Sequence, residues 1–269
     1  MSFSLKVKDE LAGIIPPARH CQIAELAAII SMCGHIYTTG RGRHFFKITS
    51  ENRNVVLKSQ ILVKKAFGYD SDSAVRYNID SKNRIYIMSV MDSETAIKIL
   101  LATRIMDCDG SINKDLALVN TVAIQNICCK RAFLRGAFLA GGSISDPEKS
   151  YHLEISSPGT EKALQVLNCV KAFEFEAKIV ERRKYQIVYL KEGSSLADML
   201  NVVGAHISLL EFENIRIVKD LRNDVNRKVN CETANMDKTV KAALKQVEDI
   251  NYIMNTVGLD SLDDALADV

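Results

Sequence analysis

The sequence predicts an α+β fold, with a duplicated αββαββα unit followed by an all-α C-terminal region. Three observations carry the prediction. First, two nine-residue stretches, Leu26–Gly34 (LAAIISMCG) and Leu134–Gly142 (LRGAFLAGG), align leucine on leucine and glycine on glycine, 108 positions apart. Second, helix- and strand-period segments follow each stretch in the same order, and Lys65-Ala66-Phe67 recurs as Lys171-Ala172-Phe173. Such internal repetition decides the fold before any single element does. Third, the two-residue period disappears after Gly204, and only helical spacing remains.

The elements follow in order. Phe3, Val7 and Leu11 recur at helical spacing, so residues 3–12 form a short amphipathic helix that Pro16-Pro17 ends. A helix over Cys21–Cys33 is closed by Gly34. Strands His35–Thr39 and His44–Ser50 flank the turn Gly40-Arg41-Gly42, as in a hairpin. Asn52–Phe67 is helical, with Gly68 as its C-cap. Ser73–Asp80 and Arg84–Met88 alternate and are strands. Ser93 caps a helix running to Ile105, with Glu94 in its first turn. The second round has a helix over Cys128–Gly141, strands Ile144–Ser145 and Tyr151–Ser156, and a helix over Thr160–Phe173. Strands Lys178–Arg183 and Gln186–Leu190 and a helix over Ser194–Val203 complete it.

The two rounds are expected to pack about a pseudo-twofold axis, with the small-faced helices at the axis and a continuous saddle of strands. Ala132, Gly136 and Ala140 lie four apart on one face, and Ala24, Ala28 and Met32 hold the matching places. Glycine in a helix interior costs about 0.5–1 kcal/mol relative to alanine, so Gly136 points to close approach of a second helix. Ala28, Gly34, Gly136, Ala140 and Gly142 are therefore assigned to the helix pair.

After Gly204, His206–Lys228 reads as one helix. The polar stretch Asn230–Asn235 breaks it, and Asn235 caps a second helix, Met236–Val257, which Gly258 ends. The segment Leu259–Val269 is short and acidic. These shifts divide the chain into residues 1–106 (N-terminal helix and first repeat), 107–127 (linker), 128–205 (second repeat), 206–235 (connector helix and polar linker) and 236–269 (a C-terminal domain).

Composition bounds the function. Net charge is +2 and the charged fraction 25%, so affinity for nucleic acid must come from local patches. Seven cysteines show no C-x-x-C pair and no zinc spacing, and adjacent Cys128-Cys129 argues against a disulfide framework. A reduced intracellular chain with no metal and no cofactor is the expectation. The N-terminus carries no apolar signal-peptide core, and no apolar run is long enough for a membrane span. Asp107-Cys108-Asp109-Gly110-Ser111 lacks the glycine and glutamate positions of a calcium loop and reads as linker.

The nine-residue stretches resemble degenerate copies of the LAGLIDADG motif of homing endonucleases. The segments MSFSLKVKDELA, RAFLRGAFLAGGSISDPEKSYHLEI and LLEFENIRIVKDLRNDVNRKVNCETAN are similar to the WhiA family, sporulation and cell-division regulators of Gram-positive bacteria. The similarity runs from Met1 to about Val257. It implies a DNA-binding transcription regulator with a LAGLIDADG homing-endonuclease-like domain and a C-terminal helix-turn-helix. A helix-turn-helix reads DNA with its second helix. The eleven residues after Gly258 carry Asp260, Asp263, Asp264 and Asp268 and no basic residue, so the reading helix is expected to be absent from them.

The resemblance also sets a chemical test. Active enzymes of the motif hold divalent metal with one carboxylate at each penultimate motif position. Those positions are Cys33 and Gly141, and neither offers an oxygen, so no catalytic residue is assigned. Restoring both acids is expected to give a metal-responsive pair with little cleavage. The partner expected is double-stranded DNA, met by a cytoplasmic, nucleoid-associated monomer whose protein partners the sequence does not give. Candidate contacts are Arg41 and Arg43 at the first hairpin tip, and Lys47, Arg76, Asn78, Arg84, Lys178 and Arg182 on the strands. Arg216, Lys219, Arg222 and Arg227 follow on the connector, and Lys238, Lys241 and Lys245 on the last helix. The hairpin tip reads either as a phosphate cradle or as a plain turn, and the strands either as a DNA face or as a solvated one. Glu154 reverses the charge of Lys47 in the second repeat. The rival functions are a residual endonuclease and a protein- or ligand-binding module.

Overall fold

The computed structural model describes residues 2–40, 42–78, 83–112, 124–256 and 258, with the side chains of Asn78 and Asn83 left out. It divides into two units, Met1–Arg216 and Ile217–Val269.

The first unit begins with α1 (Phe3–Gly13), which buries Phe3, Val7 and Leu11. The first repeat follows as α2 (Arg19–Cys33), β1 (Gly34–Thr38), β2 (His44–Ser50), α3 (Arg53–Phe67), β3 (Asp72–Asn78), β4 (Asn83–Val90) and α4 (Ser93–Ala102). The second is α5 (Ile127–Gly141), β5 (Gly142–Ile144), β6 (Leu153–Ser157), α6 (Thr160–Lys171), β7 (Lys178–Arg182), β8 (Tyr185–Leu190) and α7 (Gly193–Val203). Both sheets are antiparallel and share one strand order, β1-β2-β4-β3 and β5-β6-β8-β7. The duplication is therefore one of topology as well as of residue pattern. The saddle is not continuous, however: among the described residues no strand of one sheet is hydrogen-bonded to the other, and α2 and α5 join the halves.

Helices α2 and α5 run parallel and in register. Residues 108 apart meet at two levels, Cys128 with His20 and Gly136 with Ala28. A Cβ on Gly136 would lie 2.4 Å from the Glu25 carbonyl oxygen and 3.0 Å from the Ala28 Cβ, so this glycine is what lets the backbones approach. Gly34 and Gly142 have another cause. There the chain leaves its helix directly into a strand, and a Cβ would strike the chain's own Ile30 and Phe138, not the partner helix. Ala28 is fully buried, whereas Ala140 is only partly so.

The same contact buries a charge cluster. Glu25 meets Lys58 of α3 at 3.1 Å and takes a two-pronged contact from Arg135, at 3.1 and 3.2 Å. Lys58 also donates to the Leu11 and Ile14 carbonyls, and Arg135 to that of Val203. Burial pulls the Lys58 ammonium below its usual pKa, and Glu25 opposes that shift.

Caps show how local chemistry sets element ends. Gly68 closes α3 in the left-handed region at φ 71°, as expected. Helix α4 is capped by Asp92, not Ser93: the carboxylate accepts from the Thr95 N–H at 2.8 Å. Ser93 Oγ accepts instead from the His44 N–H.

The last helix, α8 (His206–Thr256), is anchored by the Glu10 carboxylate, which accepts from the N–H groups of Ile207 and Ser208. Phe212 is fully buried between Phe3 and Tyr151. The expected break at Asn230–Asn235 does not occur, and all six residues are helical. None is Gly or Pro. Each costs at most about 0.7 kcal/mol in helix propensity, too little to stop a helix already propagating. In the second unit Val218, Leu221, Val225, Val229, Met236 and Val240 are exposed at helical spacing. Residues 113–123 and 259–269, including the acidic end segment, lie outside the described residues.

Candidate nucleic-acid interface

Sheet register decides which candidates share a face. Buried Phe46, Ile48, Met88 and Val90 mark the helix-covered side of the first sheet. Its open side carries His35, Tyr37, Phe45, Lys47 and Thr49, then Ser89, Ile87 and Ile85 opposite Asp72, Ala74 and Arg76. Lys47 and Arg76 are thus together on the open face. Tyr37 and Phe45 stack at 5.0 Å, and the Lys47 ammonium lies 5.7 Å from the Tyr37 ring. The backbone of Asn78 follows the same register, and its side chain lies outside the described residues. Arg84 does not join them. It pairs with Tyr77 and has the parity of Met88, so it belongs to the other side. Separate alternation in two strands cannot reveal this, because relative register sets the shared face.

The second sheet repeats the arrangement. Ser143 opposes Glu154 as His35 opposes Lys47, which confirms the charge reversal. Lys178 and Arg182 lie on the open face opposite Tyr189 and Tyr185. The Glu154 carboxylate is engaged by the His152 ring at 3.2 Å and by Arg182 at 3.8 Å. Its charge is therefore partly answered within the sheet. At the first hairpin tip the Gly42 N–H donates to the Thr39 carbonyl, which removes one donor from a phosphate cradle. Arg43 is exposed, and Arg41 lies outside the described residues.

On α8, Arg216 is paired with Glu213 at 3.0 Å and Arg227 approaches Asp224 at 3.6 Å. Without the expected break, Arg227, Lys238, Lys241 and Lys245 keep one helical phase and form a single exposed basic stripe. Lys219 lies to the side of that stripe, partly buried. Arg222 falls on the apolar side, one turn from both Val218 and Val225.

The motif ends lie where the two small-faced helices finish. The Cys33 thiol donates to the Ile29 carbonyl, and burial pushes its pKa up to about 12 against the pull of Lys162 and Lys8. Lys162 donates to the Ser31 carbonyl on the same turn. Where an enzyme of this fold would gather carboxylates around a metal, the chain places a protonated thiol in the field of two lysines, Lys8 and Lys162, whose own pKa values burial lowers. Lys8 and Lys162 come from α1 and α6, outside the motif, and nothing in its spacing could have named them. Gly141 has no room for a side chain, because a Cβ would stand 2.4 Å from the Ser156 carbonyl oxygen. The expected metal-responsive pair therefore cannot form by simple replacement. Cys33→Asp alone is expected to fold, paired with the two lysines, and to give no calorimetric response to magnesium. Adding Gly141→Asp is expected to lower Tm by about 5 °C or more, since overpacking costs about 1–3 kcal/mol. A stable double variant that binds magnesium would show that the site tolerates acids.

At the opposite end of the same helices, four soft ligands meet. His20 and Cys21 open α2, Cys128 and Cys129 open α5, and their ligand atoms all lie within 4.8 Å of one another. Burial, and then its Cys128 neighbour, push the Cys21 thiol up to about 12. Linear spacing hid this group. The signal was the 108-residue offset, which maps His20-Cys21 onto Cys128-Cys129.

Two four-stranded sheets carried on a parallel, glycine-closed helix pair define a LAGLIDADG-like domain, here followed by a helical C-terminal region. Comparison with known proteins agrees. The WhiA N-terminal LAGLIDADG-like domain matches residues 19–106, the WhiA LAGLIDADG-like domain residues 130–222, and the WhiA C-terminal HTH domain residues 225–269. A protein of Lachnoclostridium phytofermentans named probable cell division protein WhiA is 42% identical over 269 residues, covering 100% of this chain and 86% of its own. Its namesake in Alkaliphilus oremlandii is 45% identical over 271 residues, covering 100% and 85%. The crystal structure of full-length DUF199/WhiA from Thermotoga maritima superposes with a TM-score of 0.69 at 24% identity, over 99% of this chain and 84% of that one. The chain belongs to the WhiA family. No described helix is long and apolar enough to cross a membrane.

Proposed function

We propose that the protein is a DNA-binding transcription regulator that does not cut DNA. It acts on the nucleoid in the cytoplasm, as a monomer built on an internal pseudo-twofold, in cell division, chromosome segregation or sporulation control. The observation that carries the reading is the Lys8–Cys33–Lys162 arrangement at the motif ends. Lysines there disfavour a divalent metal and suit a phosphate, which supports binding of DNA without hydrolysis. The open faces with Lys47 and Arg76, and with Lys178 and Arg182, supply further backbone contacts. Arg43 and the Arg227–Lys245 stripe add to them. Backbone contacts position a duplex without reading its sequence, so these surfaces support weak binding with little sequence discrimination. The proposed domains are the two repeats, 1–106 and 128–205, with the linker 107–127 between them, and the helical segments 206–235 and 236–269 after them.

Titrating labelled duplex at several salt concentrations tests this. Binding to a scrambled duplex is expected in the non-specific range of about 10⁻⁴–10⁻⁶ M, falling steeply with salt. Lys47→Glu with Arg76→Glu is expected to weaken every sequence alike and to reduce the salt slope by about 2. Supercoiled plasmid with magnesium is expected to stay intact. Binding indifferent to both charge reversals would remove DNA from the first sheet, and nicked plasmid would restore the nuclease reading.

A further inference from the structure

We propose that His20, Cys21, Cys128 and Cys129 form a zinc site that ties the two repeats together at the start of the paired helices. The ligand types fit zinc. Three thiols and one imidazole are a set that structural zinc takes in tetrahedral geometry. Soft sulfur donors exclude magnesium and calcium and favour zinc over the harder cations.

Geometry follows. A tetrahedron with zinc–sulfur bonds near 2.3 Å places its ligand atoms about 3.8 Å apart. The four atoms already lie within 4.8 Å of one another, and the Cys128 Sγ is 3.9 Å from His20 Nε2. Closing the shell needs side-chain adjustment only. Two ligands are buried (Cys21 and Cys129) and two exposed (His20 and Cys128), so the site is held from below and reached from solvent.

The helix ends supply the electrostatics. All four residues sit in first turns, and the N-caps Ala18 and Asn126 make no side-chain cap hydrogen bond. The positive dipole ends of both helices lie at the cluster and favour the thiolates of the bound state, against the burial that raises the free Cys21 and Cys129 thiols. On binding, each thiol releases its proton to solvent. Three thiolates and the cation leave one net negative charge at two positive helix ends. The ligands come as one pair from each repeat, so the metal closes a loop of more than a hundred residues across the domain interface.

The test uses the full chain, reduced and stripped of metal, titrated with cobalt(II) alone and then with zinc(II). One cobalt per chain is expected, with the strong visible bands of tetrahedral cobalt and a near-ultraviolet thiolate charge-transfer band, all displaced by one zinc. Cys128→Ser and His20→Ala replace exposed ligands and are expected to fold. Each should weaken cobalt at least tenfold and alter the spectrum, as should Cys21→Ser and Cys129→Ser. Cys231→Ser, at an exposed cysteine elsewhere, should change nothing. No tetrahedral spectrum in the reduced parent would overturn the proposal. So would a spectrum indifferent to Cys128→Ser and His20→Ala, or a native disulfide joining Cys21 to Cys128 or Cys129.

Discussion

Gly136→Leu is expected to give no folded first unit, and Gly136→Ala to lower Tm by roughly 10 °C. The obstacle is backbone, not side chain: the Glu25 carbonyl oxygen would lie 2.4 Å from the new Cβ. A side chain can rotate away, but a helix carbonyl can move only with its helix. Overpacking costs of about 1–3 kcal/mol are therefore a lower bound for alanine. A unit of this size loses about 2–4 °C per kcal/mol. Leucine must also displace Ala28 across the contact. Gly13→Ala is the control, because nothing lies within 4 Å of a Cβ there. Thermal melts of the three variants decide the matter, and a Gly136→Ala protein that melts with its parent would show that the helices do not meet as described.

Glu25→Gln is expected to cost about 3–5 kcal/mol, the range for breaking a buried ion pair. The amide leaves Lys58 and Arg135 as two buried cations with no counter-charge. Replacing Glu25 and Lys58 together by Gln and Met removes one of those cations, so part of the loss should return. The four-protein cycle in chemical denaturant measures the coupling. Equal losses from the single and the double variant would mean that Lys58 is satisfied by the Leu11 and Ile14 carbonyls alone.

What could be read from the chain was what local chemistry and periodicity fix. Gly136 implied a helix–helix approach because its cost needs a reason, and the contact is there. The repeat order held because each strand and helix carries its own period. Registers and tertiary neighbours were not legible. Arg84 alternates correctly within its strand and still lies on the wrong side, since pairing with β3 decides its face. Asp92 and Ser93 are both good caps, and in the fold Asp92 takes the cap while the Ser93 hydroxyl accepts from the His44 N–H. The polar run Asn230–Asn235 looked like a stop, yet helix propagation is cooperative and its residues are merely poor formers. Lys8 and Lys162 reach the motif ends from other elements. The His20, Cys21, Cys128 and Cys129 group is encoded in the repeat offset, and spacing along the chain does not show it because each repeat supplies only two of the ligands.

The one-sided charge cluster on the helix pair has a consequence for assembly. Glu25 and Lys58 both belong to the first repeat, and Arg135 belongs to the second. Two copies of the second repeat would face one arginine with another and find no carboxylate. Two copies of the first would set Ala28 against Ala28, with no glycine to admit the close approach. Each repeat thus accepts the other and rejects its own kind. If the two were made as separate polypeptides, they should find each other and remain hetero-paired, like a lock whose two halves cannot be duplicated from one mould.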